Sequence, residues 1–329
     1  MRNAVLMLFV ALIASLPAQA ADFKLTWPVA CTLGTDCWFM NYVDIDPASG
    51  KAIDAQCSNR TYDTHNGVDI AIADEAGMKK GYAVLAAADG TVSRLRDGEE
   101  DAMKATADDI ARTKESKREC GNGILVEHPG GYKTQYCHVK NGSIIVKPGD
   151  KVVAGQPMAE IGLSGVTQQP HLHISLTGPD DKPIDPFKGV LKDGACMPPT
   201  GSYPESYWAD SKIAYSKADI IAMGLVSAKP DYAAVLAGTQ APGKNGEPNS
   251  ILYVVGMGTK AGDNWQLSLT APDGEILVSE TISQKQDKAR QFYFAGRSKP
   301  IQAGTYKADV RLTRNGAEIA RKAASIVIP

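Results

Sequence analysis

Residues 120–139, CGNGILVEHPGGYKTQYCHV, decide the fold. Two runs, 123–128 and 132–138, are rich in β-branched and aromatic residues, and Pro129-Gly130-Gly131 between them is turn chemistry. A hairpin centred on that turn sets Cys120 and Cys137 nearly opposite each other, which predicts a disulfide, and it ends on His138. Working outward, the same texture extends from Val68 to about Ser175. Short β-runs at 68–73, 83–87, 90–94, 143–146, 157–161 and 171–176 are separated by glycine turns. Regular short strands of this kind predict a mostly β domain. One segment breaks the pattern: residues 97–119 are highly charged, and Met103, Ala107 and Ile110 fall at helical spacing. This segment reads as a helical insertion between two strands.

The whole chain has 329 residues, 43% hydrophobic and 22% charged, with a net charge of −2. Length and composition fit two globular domains and exclude a disordered chain or a multi-span membrane protein. The charge balance lacks the basic footprint of a nucleic-acid binder. Arg2 precedes an apolar run over 4–16, and Pro17-Ala18-Gln19-Ala20 follows with small residues. The run is shorter than the roughly 20 residues a transmembrane helix needs, so 1–20 reads as a signal peptide cleaved after Ala20. Ala21 rather than a cysteine follows the cut, so no lipid attachment is expected. The mature protein is then periplasmic or secreted, without a transmembrane segment.

All six cysteines, Cys31, Cys37, Cys57, Cys120, Cys137 and Cys196, precede residue 200, which marks a boundary between two domains. An even set in an exported chain predicts disulfides. Besides Cys120–Cys137, the expected pairs are Cys37–Cys57 and Cys31–Cys196. Residues 21–197 form the first domain and 198–230 a connector, broken at Pro198-Pro199-Thr200-Gly201. The connector carries a short helix over 217–226 capped by Ser216. Beyond it, Trp265, Leu267, Leu269 and Ala271 alternate with polar residues, as do Tyr306, Ala308, Val310 and Leu312, and Asn315-Gly316 is a hairpin signal. Residues 231–329 are therefore expected to form an immunoglobulin-like β-sandwich.

Four of the five histidines sit in suggestive places. His171 and His173 lie two apart on a strand, so both face one side while Leu172 faces the other. His65 and Asp69 are four residues apart. Imidazole nitrogen and carboxylate oxygen are zinc ligands, and a catalytic zinc keeps three protein ligands and one open position. His65, Asp69 and one histidine of the pair complete such a set. The other paired histidine and His138 remain for acid/base work. His128, beside Pro129 at a turn, reads as structural or solvated, and Trp38, Phe39 and Tyr42 read as core and hairpin packing, with the lining of a substrate groove as the alternative. No His-Glu-x-x-His zincin motif, Gly-x-Ser-x-Gly elbow or complete Gly-x-x-x-x-Gly-Lys-Ser/Thr phosphate loop is present.

In order along the chain, His65-x-Gly67-x-Asp69, Tyr136-x-His138 and His171-Leu172-His173 resemble the motifs of the lysostaphin/LytM-type zinc metallopeptidases. Between them come Val84-x-Ala86, Gly90-x-Val92, Gly121-Asn122-Gly123, Glu127-His128-x-x-Gly131, Lys147-Pro148-Gly149-Asp150-x-Val152, Gly155-Gln156 and Gly162-x-Ser164-Gly165. The likeness covers roughly residues 27–187. It implies an antiparallel β-sheet catalytic domain in which His65, Asp69 and His173 bind Zn2+ and His138 and His171 do the chemistry. It also implies a metallopeptidase whose substrate is the peptide part of peptidoglycan, in stems or crosslinks. Two other readings stand beside it: a non-catalytic wall-binding or amidase-activating module, and a secreted endopeptidase acting on proteins. The 97–119 insertion departs from the minimal pattern. It is expected at a rim of the sheet, too thinly apolar to pack tightly, as a surface helix or a lid. A regulatory partner is expected to meet the insertion or the C-terminal domain.

Overall fold

The computed structural model describes residues 23–104, 106–190, 194–197 and 205–329. The signal peptide expected over 1–20 and the chain break at 198–201 lie outside these residues. Among the described residues no helix is long and apolar enough to cross a membrane.

The first half of the chain builds strands β1 (Cys37–Phe39), β2 (Val68–Ile72), β3 (Ala83–Leu85), β4 (Gly90–Arg96), β5 (Gly123–Glu127) and β6 (Lys133–Cys137). It continues with β7 (Lys151–Val152), β8 (Pro157–Glu160), β9 (His171–Thr177), β10 (Pro183–Asp185) and β11 (Gly189–Val190). One sheet runs in the order β1-β2-β9-β6-β5-β4-β7, with β10 joined to β9 and β11 to β10; β3 and β8 form a separate pair. Every pairing is antiparallel. The quoted stretch is the β5–β6 hairpin, with Gly123 opposite Cys137 and Glu127 opposite Lys133.

The two-residue period sorts the side chains by face. Val68, Ile70, Ile72, Leu172, Ile174, Leu176, Ile124, Val126 and Tyr136 enter one apolar core. The alternate positions of the two central strands, Asp69 and Ala71 on β2 and His171 and His173 on β9, occupy the opposite face. Register places Asp69 against His173 and Ala71 against His171. Two helices decorate this half. They are α1 (Glu75–Lys80), capped by Asp74, and α2 (Ala107–Glu115), whose first turn is capped by Thr106 and which buries no side chain. The latter is the helix expected in the insertion.

The second half holds α3 (Tyr232–Ala237) and strands β12 (Asp219–Val226), β13 (Ser250–Thr259), β14 (Asn264–Thr270), β15 (Ile276–Ser283), β16 (Lys288–Arg297), β17 (Gly304–Arg314) and β18 (Ala317–Ile328). They form a three-stranded sheet, β12-β13-β16, and a four-stranded sheet, β15-β14-β17-β18. Trp265, Leu267, Leu269, Tyr306, Ala308, Val310 and Leu312 meet Ile220, Leu225, Leu252 and Val254 in one core between them. This layering is compatible with the expected immunoglobulin-like sandwich. Asn315 and Gly316 both take positive φ, 51° and 79°, and turn β17 into β18.

One expectation is corrected here: residues 217–226 hold no helix, and 219–226 is the first strand of the sandwich rather than part of a connector. A bulge between Ile220 and Ala222 sends Ile220 into the sandwich core and Ile221 outward against the first sheet. A strand buried on both sides loses its alternation, and its apolar residues then mimic helical spacing.

The disulfides are Cys31–Cys37, Cys57–Cys196 and Cys120–Cys137. The hairpin bridge is as expected, and the other two pairs are exchanged relative to expectation. Cys31 sits in a tight turn, where Asp36 accepts from the Thr32 amide, directly before β1. Cys196 is brought to Cys57 because Met197 donates its amide to the Ala55 carbonyl.

The halves meet through the outer face of the three-stranded sheet. Ile221, Val255 and Met257 pack on Trp38 and Ala71, with Val235 of α3. Beside this contact the guanidinium of Arg60, only 3% exposed, crosses the junction. It donates to the Ser216 carbonyl at 2.7 Å, to Asp219 Oδ2 at 3.3 Å from each of two nitrogens, and to the Phe39 carbonyl. Ala71 shares its sheet face with Asp69, so the sandwich adjoins the histidine-bearing face on the β1 side.

Candidate metal centre

His65 closes a turn in which its amide donates to the Tyr62 carbonyl, and its ring is buried with 3% exposure. Its Nδ1–H donates to the Tyr42 carbonyl at 2.6 Å. A carbonyl only accepts, so this bond fixes the tautomer and leaves Nε2 with a bare lone pair. Nε2 lies 3.1 Å from Asp69 Oδ1 and 3.1 Å from His173 Nδ1, and His173 Nδ1 lies 2.8 Å from Asp69 Oδ1. These three atoms belong to a His-Asp-His group able to hold a metal ion, as β-sheet register and a neighbouring turn bring them together.

The fit to zinc can be tested by size. Metal–ligand bonds of about 2.0–2.1 Å in a tetrahedral site give ligand–ligand edges of about 3.3 Å, close to the separations found. The surroundings aim the ligands as well. Asn41 donates its side-chain amide to Asp69 Oδ2 at 2.9 Å, which leaves Oδ1 to the cluster. Gly67 lies flat against His173, where a Cβ would come within 2.7 Å of the ring.

The other two histidines stand across the same face. His171 Nδ1–H donates to the Gln169 carbonyl at 2.9 Å, with the Thr167 hydroxyl 3.0 Å away. His138 Nδ1–H donates to the Ser164 carbonyl at 2.8 Å. Both neutral rings therefore present Nε2 unprotonated, and that of His171 is 3.6 Å from Asp69 Oδ1. The His138 and His171 rings are 4.6 Å apart between centroids. All five side chains picked out from the sequence thus converge.

Charge follows burial and neighbours. Burial alone would raise the Asp69 carboxyl, but His65, His171 and His173 around it hold it well below the usual carboxylate range. Burial opposes charge on His65 too, and the adjoining Asp69 outweighs it and pushes the imidazole up. Burial keeps His138 well below the ordinary histidine value, reinforced by His171 and His173. His171 is lowered by burial as well.

A family model described as peptidase family M23 matches residues 63–186, the span that contains all five side chains. Residues 63–186 are an M23 peptidase domain. Among characterised proteins the chain is similar to the peptidoglycan DD-endopeptidase ShyB of Vibrio cholerae, 38% identical over 71 residues. That match covers 22% of this chain and 16% of the relative. ShyA, a peptidoglycan DD-endopeptidase of the same organism, is 28% identical over 134 residues, covering 41% of this chain and 25% of that one. The matches therefore span a quarter or less of the length of these two relatives. A solved zinc-containing peptidase from Vibrio cholerae is 24% identical, with a TM-score of 0.29, over 46% of this chain and 39% of that one.

Around the M23 domain's site, sequence reasoning missed Asn41, the Tyr42 carbonyl and Thr167. Asn41 stands 28 residues before Asp69 in a loop, with no motif to mark it. Ser164 stands in the Gly162-x-Ser164-Gly165 motif, which carries the resemblance without pointing to the role of its carbonyl. His128 lies elsewhere: its Nδ1–H donates to the Asp89 carbonyl, its Nε2 faces the Thr134 hydroxyl at 2.7 Å, and Phe23 packs on it. Trp38, Phe39 and Tyr42 are buried in the cores.

Proposed function

We propose that this chain is an exported zinc metalloendopeptidase that hydrolyses peptide bonds in peptidoglycan stems or crosslinks. The reading assigns His65, Asp69 and His173 as zinc ligands and His138 and His171 as the acid/base pair. The observation that carries it is the meeting of three ligand atoms at 2.8–3.1 Å beside two histidines whose tautomers leave Nε2 bare. Three disulfides support export to an oxidising compartment. The proposal includes a catalytic unit over 21–197 and an accessory sandwich beyond it.

When bound, zinc supplies a Lewis acid for a scissile carbonyl and makes hydroxide accessible near neutral pH. The protein's own groups do the rest. His171 accepts the proton of the attacking water at Nε2, because the Asp69 carboxylate 3.6 Å away steadies the resulting imidazolium. The same proton then passes to the leaving amine. His138, kept neutral by burial, offers a second acceptor at Nε2 that orients water or the amide N–H.

The test is digestion of purified sacculi with the zinc-loaded protein, followed by mass analysis of released muropeptides. Soluble fragments cut within the peptide, absent after chelation, are expected. Intact sacculi after prolonged incubation with zinc-replete protein would refute the reading.

A further inference from the structure

The insertion splits into two parts with different fates. Helix α2 buries nothing. The arm before it, residues 97–104, lies along the loop 162–167 and is bonded to it at several points. The Ala102 amide donates to the Leu163 carbonyl at 3.2 Å and the Lys104 amide to the Thr167 carbonyl at 3.0 Å. Asp101, half-buried, accepts from the Leu163 amide at 2.7 Å with Oδ1 and from the Asn141 amide at 3.0 Å with Oδ2. Its carboxylate thus ties together the two segments that follow His138 and precede Ser164. Asn122, fully buried, completes the joint. Its side chain accepts from the Glu99 amide and donates to the Glu99 and Val139 carbonyls.

What this joint holds is unusual. His138 has φ of 61°, the left-handed region that non-glycine residues seldom enter. Such a conformation is strained and persists only where the surroundings over-determine it. Here the His138 amide donates to Cys120, its carbonyl accepts from Gly162, and its ring bonds Ser164. Thr167, held through Lys104, lies against the ring of His171. The Ser164 bond to the His138 ring and the Thr167 contact with the His171 ring both come from the loop that the arm braces, and the Gln169 carbonyl that also holds His171 follows two residues after it.

We propose that the 97–104 arm is a brace that orients His138 and His171, with Asp101 as the positioning residue, rather than part of a lid. This rests on the reading of those histidines as the acid/base pair. Loss of the carboxylate leaves the Leu163 and Asn141 amides unpaired and frees the loop that carries the Ser164 carbonyl. The His138 ring then loses its fixed tautomer. Misplacement of a catalytic group by about 1 Å costs on the order of 10²-fold.

The experiment uses full-length zinc-loaded protein in three forms: wild type, Asp101→Ala, and a variant with residues 107–115 replaced by a Gly/Ser link. Zinc content, kcat and KM on sacculus-derived peptides and the imidazole 15N spectrum are measured, with His138 assigned through His138→Ala. Asp101→Ala is expected to lose kcat by about 10- to 100-fold, with KM and zinc within twofold. Its His138 signal should move from a single Nδ1–H tautomer to a mixture. The helix replacement should change none of these. Wild-type kcat in Asp101→Ala, loss of zinc in step with activity, or an unmoved His138 signal overturns the brace. If the wild type cuts no peptide, the catalytic reading fails, and the His138 signal alone still decides the brace.

Discussion

Gly67→Ala puts the metal assignment under the sharpest strain with the smallest change. An added Cβ would stand 2.6 Å from the Ile174 carbonyl oxygen and 2.7 Å from both Cε1 and Nε2 of His173. Ordinary contact begins near 3.4 Å, so something must retreat by about 0.7 Å. The Ile174 carbonyl belongs to β9, which is laddered to β2 and β6, so the imidazole is the softer party. Metal–ligand distances tolerate only about 0.2 Å. Zinc affinity should therefore fall about 10- to 100-fold, the range typical of a disturbed ligand support, or about 1.4–2.8 kcal/mol. The assay is competition with a chromophoric chelator at fixed pH, and activity should partly return at saturating zinc. Gly77→Ala in α1, where the new Cβ meets only contacts of 3.4 Å or more, is the control and should leave affinity unchanged. Zinc binding by Gly67→Ala within twofold of wild type would remove His173 from the ligand set.

Ligands and acid/base groups should separate on substitution. Asp69→Ala is expected to lose both zinc and turnover, whereas His138→Ala should keep its zinc and lose about 10²–10⁴ in kcat; equal metal depletion in both would refute the division. The Cys120–Cys137 bridge closes a loop with a sequence separation of 17. Replacing both residues by serine should cost about 3 kcal/mol in chemical denaturation, and an unchanged midpoint would contradict it. Asp185 is pushed up to about 6, chiefly by burial. Its protonated form is preferred on folding, so that contribution is full below about pH 4 and disappears as pH rises through about 6. Relative to wild type, Asp185→Asn should therefore gain up to about 3 kcal/mol between pH 4 and pH 8, and parallel stability profiles would disprove the shift.

The parts of the site legible in the sequence are those set by local periodicity. His171-Leu172-His173 announces its shared face because strands alternate, and His65 and Asp69 are near neighbours in the chain. The register that sets Asp69 against His173 is a long-range pairing that no spacing encodes. Asn41 escaped for the same reason. The insertion was misjudged in part because charge density reads as solvation. Asp97, Glu99 and Asp101 instead use their polar groups to bond the Gly142, Asn122, Asn141 and Leu163 groups of neighbouring loops. The strand over 219–226 was missed because the second sheet it touches belongs to the other half of the fold, and burial on two sides erases alternation.

Arg60 has a consequence for how such a chain can be recombined. Its guanidinium is buried at the junction of the two halves, and its carboxylate partner, Asp219, opens the first strand of the sandwich 159 positions later. Removing one member of a buried ion pair costs about 3–5 kcal/mol, a large share of ordinary domain stability. A new module joined after residue 197 that covered the same face would leave that cation buried without its acid. Exchange of the C-terminal half therefore suits modules that bring an acid to the same spot, or chains in which Arg60 is replaced together with it.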